Sequence, residues 1–123
     1  MLADNLALVQ KKIMEALAKR TEPKATGSVV TVVAVTKNHP AEVVTEALAA
    51  GLKNVGENRV QEAQHKKAVL PAAGVWHLIG HLQKNKARHA VEIFDIIESV
   101  DSEEILGRID KLAEELNKVQ DVL

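Results

Sequence analysis

Leu2, Leu6, Val9, Ile13 and Leu17 recur every three or four residues at the start of the chain. That spacing predicts an amphipathic helix over residues 3–20 with a single apolar stripe. Pro23 and Gly27 then mark residues 21–28 as a loop. Residues 29–35 are apolar at every position except Thr31, and most are β-branched. Such a run predicts a strand buried on both faces, as in a parallel sheet covered by helices. Pro40 suits the first turn of a following helix, where its missing N–H costs little. Val43, Val44, Ala47 and Leu48 supply that helix with a core face, and Gly51 stands where a left-handed C-terminal cap is expected.

The alternation continues along the chain. Residues 53–57 read as a strand and 59–70 as a helix ended by Pro71. Residues 75–80 read as a third strand, 84–91 as a helix, and 94–100 as a fourth strand. Asp101 with Glu104 three residues on makes a capping-box pattern for a helix running to about Lys118. Residues 119–123 read as the start of a fifth strand. This βαβαβαβα series with short connections defines an α/β protein with a parallel sheet. An eight-stranded barrel typically takes about 250 residues. The 123 residues therefore correspond to about half of one, a single partial domain with a leading helix and four βα units. A small open sheet is the alternative, since the pattern does not contain the strand order.

Composition narrows the function classes. Sixteen Lys and Arg stand against seventeen Asp and Glu, so there is no excess of positive charge to coat a nucleic acid or an anionic membrane. Aromatic residues are only 2%, too few for a base-stacking platform. The absence of cysteine excludes disulfides, thiolate nucleophiles and cysteine zinc sites. No apolar run approaches the length of a membrane span. Asp4, Gln10, Lys11 and Lys12 interrupt any secretory signal core, and acidic Asp4 and Glu15 count against a mitochondrial presequence. The expectation is a cytoplasmic protein with no membrane and no nucleic-acid partner.

Five places carry candidate chemistry. Lys37 follows the first strand, at the end of the sheet where α/β proteins place ligands. Partial burial there would lower its pKa by disfavouring the charged form, making it a better nucleophile toward an aldehyde. A solvated lysine marking the strand end is the other reading. Asn58 occupies the equivalent position after the second strand. It also suits a helix N-cap, with Gln61 as reciprocal partner. His77 and His81 are four apart, but a strand followed by Gly80 does not bring two imidazoles onto one metal, and no third ligand is evident. Lys84, Lys86, Arg88 and His89 form a basic run that is either a phosphate or RNA contact or a solvated helix face. Ser99, at the fourth strand end, either meets a ligand or begins the turn into the helix capped by Asp101. Neither G-x-G-x-x-G, G-x-x-x-x-G-K-[ST] nor G-x-S-x-G occurs.

Taken together, VAVTK (33–37), GENRVQEA (56–63), WHLIGHLQKNK (76–86) and FDIIESVDS (94–102) stand in the order and spacing of one family. The chain resembles the pyridoxal-phosphate homeostasis proteins, also called the YggS or proline synthetase co-transcribed family, over nearly its whole length. The resemblance implies the first half of a (β/α)8 TIM-type barrel similar to the N-terminal domain of alanine racemase. It implies pyridoxal 5′-phosphate as cofactor, Lys37 as its Schiff-base residue and Asn58 as a neighbour lying against it. It also implies a non-catalytic, often monomeric protein that buffers or delivers the cofactor. A racemase-like enzyme and a cofactor-free half-barrel are the rivals. Family members exceed 200 residues, and the resemblance puts their phosphate-gripping residues in the second half. The expectation is therefore a truncated chain that binds cofactor weakly or not at all and self-associates through two open sheet edges.

Overall fold

The computed structural model describes residues 1–20, 30–70 and 73–123. The loop expected over 21–28, Val29 and Pro71 lie outside the described residues. A leading helix, α1 (Leu2–Ala18), precedes β1 (Val33–Val35), α2 (Ala41–Ala49), β2 (Asn54–Glu57) and α3 (Val60–Val69). There follow β3 (Val75–Leu78), a 3-10 turn (Lys84–Lys86), α4 (Ala87–Ile93), β4 (Ile96–Ile97), α5 (Glu103–Glu115) and β5 (Asp121–Val122). All neighbouring strands are parallel and follow the chain order β1-β2-β3-β4-β5. An unbroken consecutive order is the topology of a barrel wall, with a helix carrying the chain back between each pair of strands.

The core lies on one face of this wall. Val55, Trp76, Leu78 and Ile97 point from the strands into a cluster with Val44, Ala63, Ala90, Val91, Ile105 and Leu112 from the four helices. Alternation sends Val33, Val35, Asn54, Gly56, His77, Ile79 and Glu98 to the opposite face. A Cβ at Gly56 would sit 3.1 Å from Val33 and 3.3 Å from Ile79, which confirms that these positions share that side. Burying each large side chain of the core contributes about 1.5–3 kcal/mol.

Several boundaries differ from the sequence pattern. The expected buried strand over 29–35 is only three residues long, and Val35 is 50% exposed. Among the described residues, helices cover one face only, and β1 pairs on one side only, with β2. Phe94 caps the end of α4 instead of starting a strand, and its ring is buried in the core. The stripe of α1 is only partly used. Leu6 packs on Ala47 and Leu52, while Val9 is exposed. Gly51 does take the left-handed cap, with φ +94°. Its N–H bonds Leu48 O and the next N–H bonds Ala47 O, the full paired arrangement that lets α2 stop sharply. Asn117, at φ +52°, repeats this after α5 through bonds to Glu114 O and Ala113 O.

The cap of α5 is Ser102, not Asp101. Ser102 Oγ accepts from the Ile105 N–H at 3.2 Å, one residue later than the capping-box pattern placed it. Asp101 instead faces His81 across an exposed 3.3 Å pair. Ser102→Ala should therefore cost about 1 kcal/mol, and Asp101→Ala a few tenths. Urea denaturation of the two variants distinguishes the assignments, and the reverse order would restore Asp101 as the cap.

Candidate functional site

The carboxyl ends of the parallel strands open on one rim, where main-chain groups and loop side chains face outward from a rigid wall. Lys37 follows β1, Asn58 follows β2, Gly80 follows β3 and Ser99 follows β4. Lys37 is exposed, not partly buried as the strand pattern suggested, because β1 is an edge of the described sheet. Among the described residues its amine enters no hydrogen bond or ion pair.

The backbone that carries Lys37 is held tightly. Thr36 O accepts the His39 N–H at 3.1 Å, closing a β-turn with Lys37 and Asn38 at its centre. Asn38 has φ +62° at the position where such a turn needs a left-handed residue, which asparagine tolerates. Behind the turn lies a buried ion pair. Lys66 Nζ donates to Glu57 Oε1 at 2.6 Å, to Thr36 O at 2.7 Å and to Glu62 Oε1 at 3.0 Å. All three ammonium protons thus have acceptors. Glu57 is fully buried, and its other oxygen accepts from Thr36 Oγ1 at 2.6 Å. Glu62 Oε1 also accepts the Asn38 N–H at 2.6 Å.

Burial raises the Glu62 carboxyl pKa, but the bonds from Lys66 and the Asn38 amide, with the charges of Lys66 and Arg59, outweigh it. The net result lies below the ordinary value of 4.5. A depressed carboxyl stabilises the folded state fully above that ordinary value, and the contribution is lost as pH falls through the lower folded value.

Asn58 is half-buried and lines a cleft of about 460 Å³ with Arg59, Gln61, Gly80, His81 and Lys86. It does not cap α3. The cap position is Arg59, without a side-chain bond, so the pairing of Asn58 with Gln61 does not form. The chain turns into the helix one residue later than the sequence suggested. Gly80 is required by close approach, since a Cβ there would fall 2.3 Å from Asn58 O. The β2 and β3 exits are therefore pressed together. Lys37 shares the rim with Asn58 but not the walls of this cleft.

The remaining candidates separate. His77 is buried on the face away from the helices, with Nδ1 2.5 Å from Glu98 Oε1 and Nε2 2.8 Å from Asn54 Oδ1. His81 is exposed on the rim beside Asp101. In the basic run, Lys84 pairs with Glu104 and Arg88 with Glu115. His89 faces Glu92, so three of the four members lie against acidic residues of their own fold, while Lys86 lines the cleft. Ser99 Oγ is buried without a partner among the described residues, and the turn into α5 is capped by Ser102. Sequence reasoning missed Thr36, Glu57, Glu62, Lys66 and Gly80. The available signals were a glutamate ending an apolar strand and the i, i+4 pair Glu62–Lys66.

This wall of consecutive parallel strands, with helices on one face and the candidate side chains on the rim, is half of a barrel of the alanine racemase type. A model of the alanine racemase N-terminal domain matches residues 10–123. The structure of PipY from Synechococcus elongatus PCC7942 with PLP bound is 44% identical, with a TM-score of 0.80, over 99% of this chain and 52% of that one. The same protein without PLP aligns with a TM-score of 0.82. The pyridoxal phosphate homeostasis protein of Pseudomonas aeruginosa is 42% identical over 88% of this chain and 46% of its own length. The chain belongs to the pyridoxal phosphate homeostasis protein family, and it spans about half the length of the curated relatives it matches. No helix among the described residues is long and apolar enough to cross a membrane.

Replacing Lys66 by methionine should cost about 3–5 kcal/mol, because Glu57 would keep a buried charge with no counter-ion. The double variant Lys66→Met/Glu57→Gln should recover part of that loss. Denaturant midpoints measure both, and additive losses would mean that the two groups are not coupled.

Proposed function

We propose that Lys37 is the residue through which pyridoxal 5′-phosphate is held covalently, more weakly by these 123 residues than by the relatives of about twice their length, in a cofactor-handling and non-catalytic role. One observation carries the reading. Lys37 presents an unengaged primary amine from a pinned turn on the strand rim of a fold whose close structural relative is described with PLP bound.

The residues present fit the aldehyde side of the cofactor. When bound, the cofactor supplies an electrophilic aldehyde and a ring that withdraws electrons. Lys37 supplies the amine, which must be unprotonated at the moment it attacks a carbonyl carbon. The turn at 36–39 fixes where its Cα stands. Asn58, relieved of capping, offers an amide donor and acceptor one strand away. Gly80 lets the exits of β2 and β3 approach closely and so fixes the backbone that carries Asn58. The phosphate grip belongs, in this reading, to the part of the relatives that this chain does not match. The homeostasis role follows the family, and racemisation of alanine by the protein would contradict it.

With pyridoxal phosphate added and borohydride used to fix the bond, peptide mass analysis should find the label on Lys37. Lys37→Ala should abolish it. Label persisting on another lysine, Lys53 or Lys84 for example, would move the site. Asn58→Asp puts a charge on the rim and should weaken cofactor binding or shift its visible absorbance. If affinity and spectrum both stay as they were, Asn58 has no part in the site.

The same reading extends to association. Among the described residues the face carrying Val35 has no helical cover, and β1 and β5 are both edges of the described sheet. Unpaired strand edges beside apolar surface favour pairing with another chain. A polypeptide of only these 123 residues should therefore sediment as a dimer or larger species. A stable monomer at micromolar concentration contradicts this.

A further inference from the structure

We propose that Glu62, Lys66 and Glu57, with Thr36, are positioning residues that aim the Lys37 amine at its carbonyl partner. The inference rests on the reading of Lys37 as the cofactor residue and adds to it a device that sets its reactivity.

The network is aimed at two particular residues. Its bonds end on Thr36 Oγ1 and Thr36 O, both buried, and on the more exposed Asn38 N–H, the groups that flank Lys37 on either side. An apolar contact could hold α3 against the sheet equally well. Only directional bonds fix the orientation of a turn. The lysine stem has four flexible carbons, so the protein controls the amine mainly through the position and direction of its Cα. A shift of about 1 Å in a reacting group costs up to about a hundredfold in rate. A turn held by three short bonds to buried or half-buried partners resists such a shift.

The arrangement also separates two neighbouring lysines. Lys66 is 5% exposed, and each of its three ammonium protons is committed to an oxygen. Its amine has no free lone pair to offer an aldehyde. Lys37, two residues beyond β1, is exposed and unengaged. The same bonds that occupy one amine therefore present the other.

Glu62 is the residue on which to test this, because it is half-buried and its replacement leaves the Lys66–Glu57 pair intact. The intact protein is treated with pyridoxal phosphate as the probe, trapped with borohydride over time, and the labelled peptides are quantified. Glu62→Ala should slow labelling of Lys37 by about ten- to a hundredfold. Glu62→Gln keeps an oxygen that can accept from both Asn38 and Lys66 and should restore most of the rate. Thr36→Val and Thr36→Ser should behave as a second such pair. A readout without cofactor accompanies these: amide hydrogen exchange at Asn38 should rise about tenfold or more in Glu62→Ala and stay near its original rate in Glu62→Gln. A folded Glu62→Ala protein that loses protection at Asn38 yet labels Lys37 at the original rate overturns the positioning role alone. Equal impairment of the alanine and glutamine variants does the same. If the unaltered protein carries no label on Lys37, the cofactor reading and the positioning role fail together.

Discussion

A single buried ammonium organises the carboxyl-end rim of the first two strands. Lys66 stands on α3, yet its three protons reach the last residue of β2, the residue after β1 and a neighbour on its own helix. Removing two charges from water is costly, and a buried pair of this kind contributes little net stability over an apolar packing. What it supplies is direction. Once the ammonium is buried, its acceptors must stand where the protons point, and so β1, β2 and α3 meet in one register at the rim. Satisfied polar networks in a low dielectric are rigid for the same reason that half-satisfied ones are destabilising.

The opposite face of the wall is built differently. Asn54, His77 and Glu98 form a chain of bonds across β2, β3 and the exit of β4 on the side without helices. Both faces of the sheet thus carry polar ties near the strand ends, while the apolar residues between them fill the helix side. Two glycines allow close packing beside these ties. A Cβ at Gly56 would crowd Val33 and Ile79, and Gly80 lets Asn58 O approach to a distance that no side chain would permit. Rigid strands with a crowded, polar rim suit a site built by placing loop residues precisely.

The alternation of strands and helices, the core face of α2 and the parallel class were readable in the amino-acid order, because they depend on local alternation of apolar and polar residues. The full stripe of α1 and two-sided burial of β1 were not borne out. The left-handed stop at Gly51 was readable, since glycine is the residue with least cost there. Cap positions were readable only to within one residue. Asn58 and Asp101 were each expected to cap a helix, and in both cases the chain turned one position later, at Arg59 and Ser102. A cap depends on where the backbone leaves the extended region, and neighbouring polar residues compete for that point on nearly equal terms.

The sequence by itself determined the alternating elements and the family, the latter through motifs whose order and spacing are specific, and it put Lys37 and Asn58 just past the ends of the first two strands. Only the tertiary structure decided what holds them. Lys66 meets Thr36 across 30 positions and Glu57 meets Thr36 across 21. No local period contains such separations. Nor does a local pattern reveal that Val35 would be half exposed, for burial depends on which elements lie beyond the strand. Periodicity reports the face a residue belongs to. Which partner waits on that face is fixed by chain segments far away in sequence, brought together when the helices fold back over the sheet.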